Sequence, residues 1–135
     1  MSIELPEAKI LVEQMNKELL GKHIKTYHLK DYERLQRIGF LNKDLKSFDL
    51  LVNREIRSII LRGNAIHIRF DSEVNLLLNP EYGGKILYHT GYTTSSSKFH
   101  LKIEFNEDTA LTVRLTSIGG IHVIKSSDLK HSYLL

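Results

Sequence analysis

Apolar residues recur at Ala8, Leu11, Met15 and Leu19, with Val12 beside them, and this three-and-four spacing marks one face of an α-helix. Pro6 suits the first helical turn, where a missing N–H costs nothing. Glu4 and Glu7 place negative charge at the positive end of the helix dipole, and Gly21 followed by Lys22 ends the run. The pattern predicts a helix over Pro6 to Leu20. His23 to Leu29 reads as a strand, with Tyr27 and Leu29 on one face. Asp31 to Gly39 fits either a helical turn or a loop, since Leu35 and Ile38 are three apart. Asn42 is placed to cap a short helix carrying Leu45, Phe48 and Leu51.

From Glu55 onward the period changes from helical to two. Strands are predicted over Glu55–Leu61, Ala65–Phe70, Val74–Leu78, Lys85–His89, Lys98–Phe105, Leu111–Leu115 and Gly120–Lys125. Turn-forming residues punctuate them: Arg62-Gly63-Asn64, Asp71-Ser72, Asn79-Pro80, Gly83-Gly84 and Asn106-Glu107-Asp108. Many short strands so separated make a two-layer sandwich or barrel. With the leading helix, the class is α+β: an N-terminal amphipathic helix packed on an antiparallel two-layer β-sandwich, with one short additional helix.

Composition narrows the setting. A chain of 135 residues fits one domain and buries roughly two-thirds of its unfolded surface without a staple. There is no cysteine, which excludes a disulfide framework and any thiolate metal site. No apolar run approaches the roughly 18 residues of a membrane helix, and Met1-Ser2-Ile3-Glu4 is not the start of a secretory signal. These features predict a cytoplasmic protein with no membrane partner. The net charge of +3 and pI of about 9.1 are mildly basic, and fit either a solvated mixed-sign surface or one basic face that tracks phosphates. Thr93-Thr94-Ser95-Ser96-Ser97 reads as a loop. The apolar ending Ser132-Tyr133-Leu134-Leu135 reads as that of a domain cut from a longer chain, with a free-standing protein as the alternative.

Ile3-Glu4-Leu5-Pro6-Glu7, the helix behind it, and the exit Leu20-Gly21-Lys22-His23-Ile24 together carry a resemblance. The chain resembles the N-terminal domain of the formamidopyrimidine-DNA glycosylase and endonuclease VIII family, which opens with Pro-Glu-Leu-Pro-Glu, an amphipathic helix and a Leu-x-Gly-Lys-x-Ile step into the first strand. The spacing matches without a gap, and the likeness thins after about Asn79. The resemblance implies a β-sandwich flanked by helices that recognises damaged or abasic double-stranded DNA, with the damaged nucleotide flipped from the duplex. It also implies attack on the sugar by an N-terminal proline amine, loss of the base and strand cleavage. A terminal amine suits that task because its pKa lies near neutrality.

The chain departs from this pattern where the chemistry is most demanding. Ile3 holds the place of the nucleophilic proline, with Met1 and Ser2 ahead of it. Removal of Met1 puts the free amine on Ser2, a primary amine one residue further out, so the resemblance implies weak or no catalysis by this chain alone. Glu4 and Glu7 stand at the family's carboxylate positions, where helix-dipole electrostatics is the competing reading. In the turn after an early strand the family's lysine is replaced by Asn64, with Arg62 beside it to restore the charge. Tyr82 falls near the family's intercalating side chain, and an aromatic wedge fits that task. Lys85 is implied as a second phosphate contact. Leu115-Thr116-Ser117-Ile118-Gly119-Gly120 lacks the arginines and phenylalanine of the matching family segment. The helix-two-turn-helix unit and the finger that follow the family domain have no counterpart in these residues.

Other constellations are weaker. The seven histidines show no metal-ligand spacing. His67, His100 and His122 converge only under a particular sheet order. Gly83-Gly84-Lys85 reads as a tight hairpin rather than a phosphate loop, and Ser95 sits in no nucleophile elbow. No cofactor is implied, and the oligomeric state is not encoded. Two further readings stand beside the DNA one: a catalytically silent sandwich for protein interaction or ligand binding, and an excised piece of an active enzyme. Clustering of Arg62, Asn64, Tyr82 and Lys85 with the helix N-terminus favours DNA, and scatter favours the interaction module.

Overall fold

The computed structural model describes residues 5–42, 44–63, 65–79, 84–90, 98–115 and 120–127. The first helix, α1, spans Leu5–Leu19. Val12, Met15 and Leu19 are buried on one face, while Lys9, Glu13 and Lys17 are exposed on the other. Each fully buried apolar side chain of this size stabilises the fold by roughly 1.5–3 kcal/mol, more than helix propensity supplies. Gly21 ends the helix at φ +82°, a left-handed conformation that disfavours any side chain.

The strands form two four-stranded antiparallel sheets. The first holds β1 (Ile24–Leu29), then β6 (Leu101–Phe105), β7 (Thr109–Arg114) and β5 (Lys85–Thr90), in that order across the sheet. The second holds β2 (Ile56–Arg62), β3 (Ala65–Phe70), β4 (Val74–Asn79) and β8 (Gly120–Lys125). Alternate residues of both sheets meet in one core. Ile66, Ile68, Leu76, Leu78 and Ile121 come from the second sheet, and Ile24, Leu101, Ile103, Leu111 and Val113 from the first. This is the alternation expected of two sheets packed face to face.

Helical elements close both flanks. On one flank α1 packs on β2, and Met15 and Leu19 share a groove with Ile86 and Tyr88 of β5. On the other, α2 (Tyr32–Arg37) and a 3-10 helix (Leu45–Leu51) bring Leu35, Phe48 and Leu51 into the core. The 3-10 helix touches both β8 and β1, so it bridges the sheets opposite α1.

Most elements fall where the apolar pattern puts them, with two corrections. The segment 32–37, which fitted a helical turn or a loop, settles as a helix around the buried Leu35, and a 3-10 turn, Asp71–Glu73, joins β3 to β4. Asn42 does not cap the 3-10 helix. Asp44 does, accepting the Lys46 N–H at 3.0 Å, because the Asn42 amide is committed to β8: it donates to the Val123 carbonyl at 2.7 Å and accepts the Val123 N–H at 2.8 Å. Finally, β6 starts at Leu101 rather than Lys98, as His100 turns its ring to accept the Leu115 N–H at 2.9 Å.

Candidate nucleic-acid interface

The orientation of α1 decides which end of the sandwich carries the candidate site. The Asn16 amide donates to the Ile59 carbonyl at 2.8 Å, and the Gly21 N–H donates to the Ile56 carbonyl at 2.9 Å. The helix therefore runs antiparallel to β2. From Asn16 back to Leu5 it extends roughly 16 Å at 1.5 Å per residue, whereas β2 runs only about 10 Å from Ile59 to Arg62. The helix N-terminus thus lies at, and beyond, the end where β2 reaches Arg62.

The second sheet contributes its β2–β3 hairpin to this end. Arg62 pairs with Ala65 and is exposed. Gly63 turns the hairpin at φ +60°, a conformation that glycine adopts freely. The first sheet contributes the start of β5 and the end of β7. Lys85 lies directly opposite Arg114, and both are exposed. The direction of β5 is fixed by Lys22, just past α1, whose Nζ lies 5.9 Å from the centroid of the Tyr88 ring. Tyr88 is therefore near the C-terminal end of α1, and Lys85 is toward its N-terminal end.

Further basic residues share this end. Lys30 follows β1; its N–H donates to the His100 carbonyl at 2.9 Å and its Nζ lies 4.5 Å from the Phe99 ring centroid. Arg34 pairs with Asp31 at 2.8 Å. Burial lowers the pKa of His100; Asp31 opposes that shift, and Arg34 and Arg114 add to it. A neutral ring agrees with its Nδ1 accepting a backbone N–H. Among the described residues no carboxylate pairs with Lys85 or Arg114.

The opposite end has the contrary character. Glu55, Asp71, Glu73, Glu107 and Asp108 lie there, at strand ends and turns. Three cations at that end are engaged locally: Lys22 with Glu107 at 3.3 Å, Arg57 with Glu55 at 3.2 Å, and Arg54 with the Ser72 hydroxyl at 3.1 Å, while Lys25 and Lys125 are exposed there. Carboxylates thus gather at one end of the strands, and Arg62, Lys85 and Arg114 form a basic pole at the other, toward the start of α1.

Of the residues singled out in the sequence, Arg62 and Lys85 are brought to one end by opposite sheets. Glu7 lies in the first turn of α1, and only its backbone is described. Ser2, Glu4, Asn64 and Tyr82 lie outside the described residues, as does most of the segment after Leu115. Arg114, Lys30 and Arg34 were not anticipated, and His100 was weighed only as a metal ligand. Arg114 was hidden because β5 pairs with β7, two strands on in sequence. The three strand histidines do not meet: β4 separates His67 on β3 from His122 on β8, and His100 belongs to the other sheet's side. Among the described residues no three acidic or histidine side chains are grouped to hold a metal.

A two-sheet sandwich with a leading helix laid along one flank, and its basic pole at the helix start, defines the class. Residues 3–120 match the family described as the formamidopyrimidine-DNA glycosylase N-terminal domain, and the chain belongs to that family. It is 23% identical over 124 residues to a formamidopyrimidine-DNA glycosylase of Ligilactobacillus salivarius (strain UCC118), an alignment covering 91% of this chain and 43% of that protein. Its fold is similar to that of MutM in complex with DNA containing carbocyclic 8-oxo-G, at TM-score 0.80 and 22% identity, covering 98% of this chain and 48% of that one. A similar match is to the Lactococcus lactis formamidopyrimidine-DNA glycosylase bound non-covalently to DNA containing an abasic site, at TM-score 0.80 and 21% identity, again over 98% and 48%. The chain therefore spans about half the length of these relatives.

Proposed function

We propose that this domain recognises damaged or abasic duplex DNA through its basic end, with weak or no glycosylase and lyase activity of its own. The observation that carries this reading is that Arg62 of one sheet and Lys85 and Arg114 of the other lie at the same end, the one toward which the start of α1 points. Each phosphate that such cations neutralise releases counterions, which favours binding at low salt. The family supports the same partner, since its solved members include complexes with abasic and oxidised DNA.

The catalytic part of the proposal rests on the residues ahead of α1. An amine at Ser2, exposed by removal of Met1, would attack the C1′ aldehyde of an opened abasic sugar. The C–N bond forms, water leaves, and an imine links protein to DNA. Glu4 and Glu7 would move the protons this needs. The proline amine of the family is replaced and the reactive atom displaced, so this step is slow.

Borohydride trapping on a duplex with a single abasic site tests both parts when run beside a binding measurement. Preferential binding with little or no trapped adduct is the expected result. Equal affinity for abasic and intact duplexes would remove the recognition reading. Efficient trapping would refute the view that the chain is catalytically weak, and peptide mapping would then identify the amine. The competing reading, a silent interaction module, predicts no measurable DNA affinity at low salt.

A further inference from the structure

The duplex reading uses the charges of the basic end but not its aromatic rings. Across the rim of the first sheet, one residue per strand forms a line. Lys85 of β5 lies opposite Arg114 of β7. His100, just ahead of β6, donates its N–H to the Val113 carbonyl at 2.9 Å, and its own carbonyl accepts the Lys30 N–H at 2.9 Å. Lys85, Arg114, His100 and Lys30 therefore stand in one row that crosses the strands. Neighbouring strands are about 4.8 Å apart, so three such steps make the row about 14 Å long. Lys85, Arg114 and Lys30 are exposed. His100 is the uncharged member: its ring accepts the Leu115 N–H, and burial lowers its pKa.

Aromatic rings gather at the Lys30 end of this row. The Lys30 Nζ lies 4.5 Å from the Phe99 ring centroid. Tyr32 opens α2 two residues after Lys30 and is 41% exposed. Its neighbours hold it at this corner: Asp31 and Arg34 pair at 2.8 Å, and the charges of both reach the His100 ring. The Asp31 carboxylate is thereby engaged, and Glu33 is the other acid of α2. An intact duplex has no use for such rings, because the faces of its bases are stacked inside. Unpaired bases present those faces. Cations that follow a backbone, interleaved with rings on which bases stack, are the pattern of single-strand binding.

We propose that the rim of the first sheet binds an unpaired DNA strand, whose phosphates follow Lys85, Arg114 and Lys30 and one of whose bases stacks on Tyr32. The inference rests on the DNA reading above and names the form of DNA that the basic end takes: a duplex that carries an unpaired stretch, as at a gap or a frayed end. Lys85 and Arg114 serve the paired and unpaired parts alike. Lys30 and Tyr32 serve the unpaired part, at the far end of the row from Lys85.

The test is fluorescence anisotropy of the whole chain with four labelled probes: a blunt duplex, the same duplex with a thymidine overhang, the same duplex with an overhang of abasic sugars, and oligothymidine alone. The thymidine overhang should tighten binding about tenfold over the blunt duplex, and the abasic overhang, which keeps the phosphates and lacks the bases, should lose most of that gain. Tyr32→Ala should remove the gain and Tyr32→Phe should keep it. Lys30→Gln should lower the log–log salt slope of the overhang probe by about 0.7. No gain from the overhang, an equal gain from the abasic one, or a Tyr32→Ala variant that keeps the gain would overturn the inference and leave the duplex reading standing. Binding of oligothymidine with none of the blunt duplex would keep the inference and retire the duplex reading. Binding of no probe would remove both. Amide spectra of the variants, whose substituted side chains are exposed, verify that they fold.

Discussion

Neutralising the basic pole should change how DNA affinity depends on salt more than it changes any single affinity. Arg62, Lys85 and Arg114 lie at one end of the sandwich, on different strands. If each meets one phosphate, converting all three to Gln removes about 0.9 unit of the log–log salt slope per contact, or about 2.7 in all. Over a fourfold rise in salt the parent should then lose about 40-fold more affinity than the triple variant does. Lys85 and Arg114 are directly opposite each other, so if they share one phosphate the change falls to about 1.8. Single variants separate these cases: sharing makes the Lys85→Gln and Arg114→Gln effects less than additive. The assay is fluorescence anisotropy with one labelled abasic duplex at a series of potassium chloride concentrations. Arg57→Gln is the control, because Arg57 lies at the opposite pole, beside Glu55. An unchanged slope in the triple variant, or an equal change from Arg57→Gln, would refute the assignment of this end as the phosphate-binding one.

Two further outcomes concern the fold. Asn42→Ala should destabilise the domain by about 2–3 kcal/mol, since two hydrogen bonds vanish and both backbone groups of Val123 are left to find water; urea unfolding measures it, and a loss below about 0.5 kcal/mol would show that water replaces the amide without cost. His67, His89, His100 and His122 all have pKa values lowered from 6.5, with burial the first cause in each. The unfolded chain therefore binds protons that the native state refuses, so stability should be full above about pH 7 and fall as pH drops through the unfolded histidine range near 6.5. Urea midpoints at descending pH measure this, and a midpoint that stays level or rises between neutral and mildly acid pH contradicts it.

Local features were legible in the sequence and distant pairings were not. α1 could be read because Leu11, Met15 and Leu19 repeat at a period only a helix satisfies, and Gly21 supplies its stop. The hairpin at Gly63 could be read because β2 and β3 are adjacent in sequence and space. The neighbours of Lys85 could not be read in this way. β5 skips β6 to pair with β7, so Arg114 reaches Lys85 through a register that alternation does not encode. Asn42 misled for a similar reason. Local chemistry marks it as a helix cap, but its partner is Val123, 81 residues away, and that bond won because Asp44 was available for the cap. The basic pole was hidden in a net charge of only +3 and became visible only when the residues were sorted between the two ends of the strands.

The anchoring of α1 makes it a lever. Among the described residues its hydrogen bonds to the sandwich are made at Asn16 and, just past its last turn, at Gly21, while its first turn points to the basic pole. From Val12 back to Leu5 the helix extends about 10 Å, so a tilt of about 5° about its buried residues swings the first turn by about 1 Å. Displacements of about 1 Å can cost a reacting pair about a hundredfold in rate. The fulcrum is the packing of Val12, Met15 and Leu19 against the core. Trimming a methyl group there, far from any DNA, would therefore act on the chain's first residues as a change of aim.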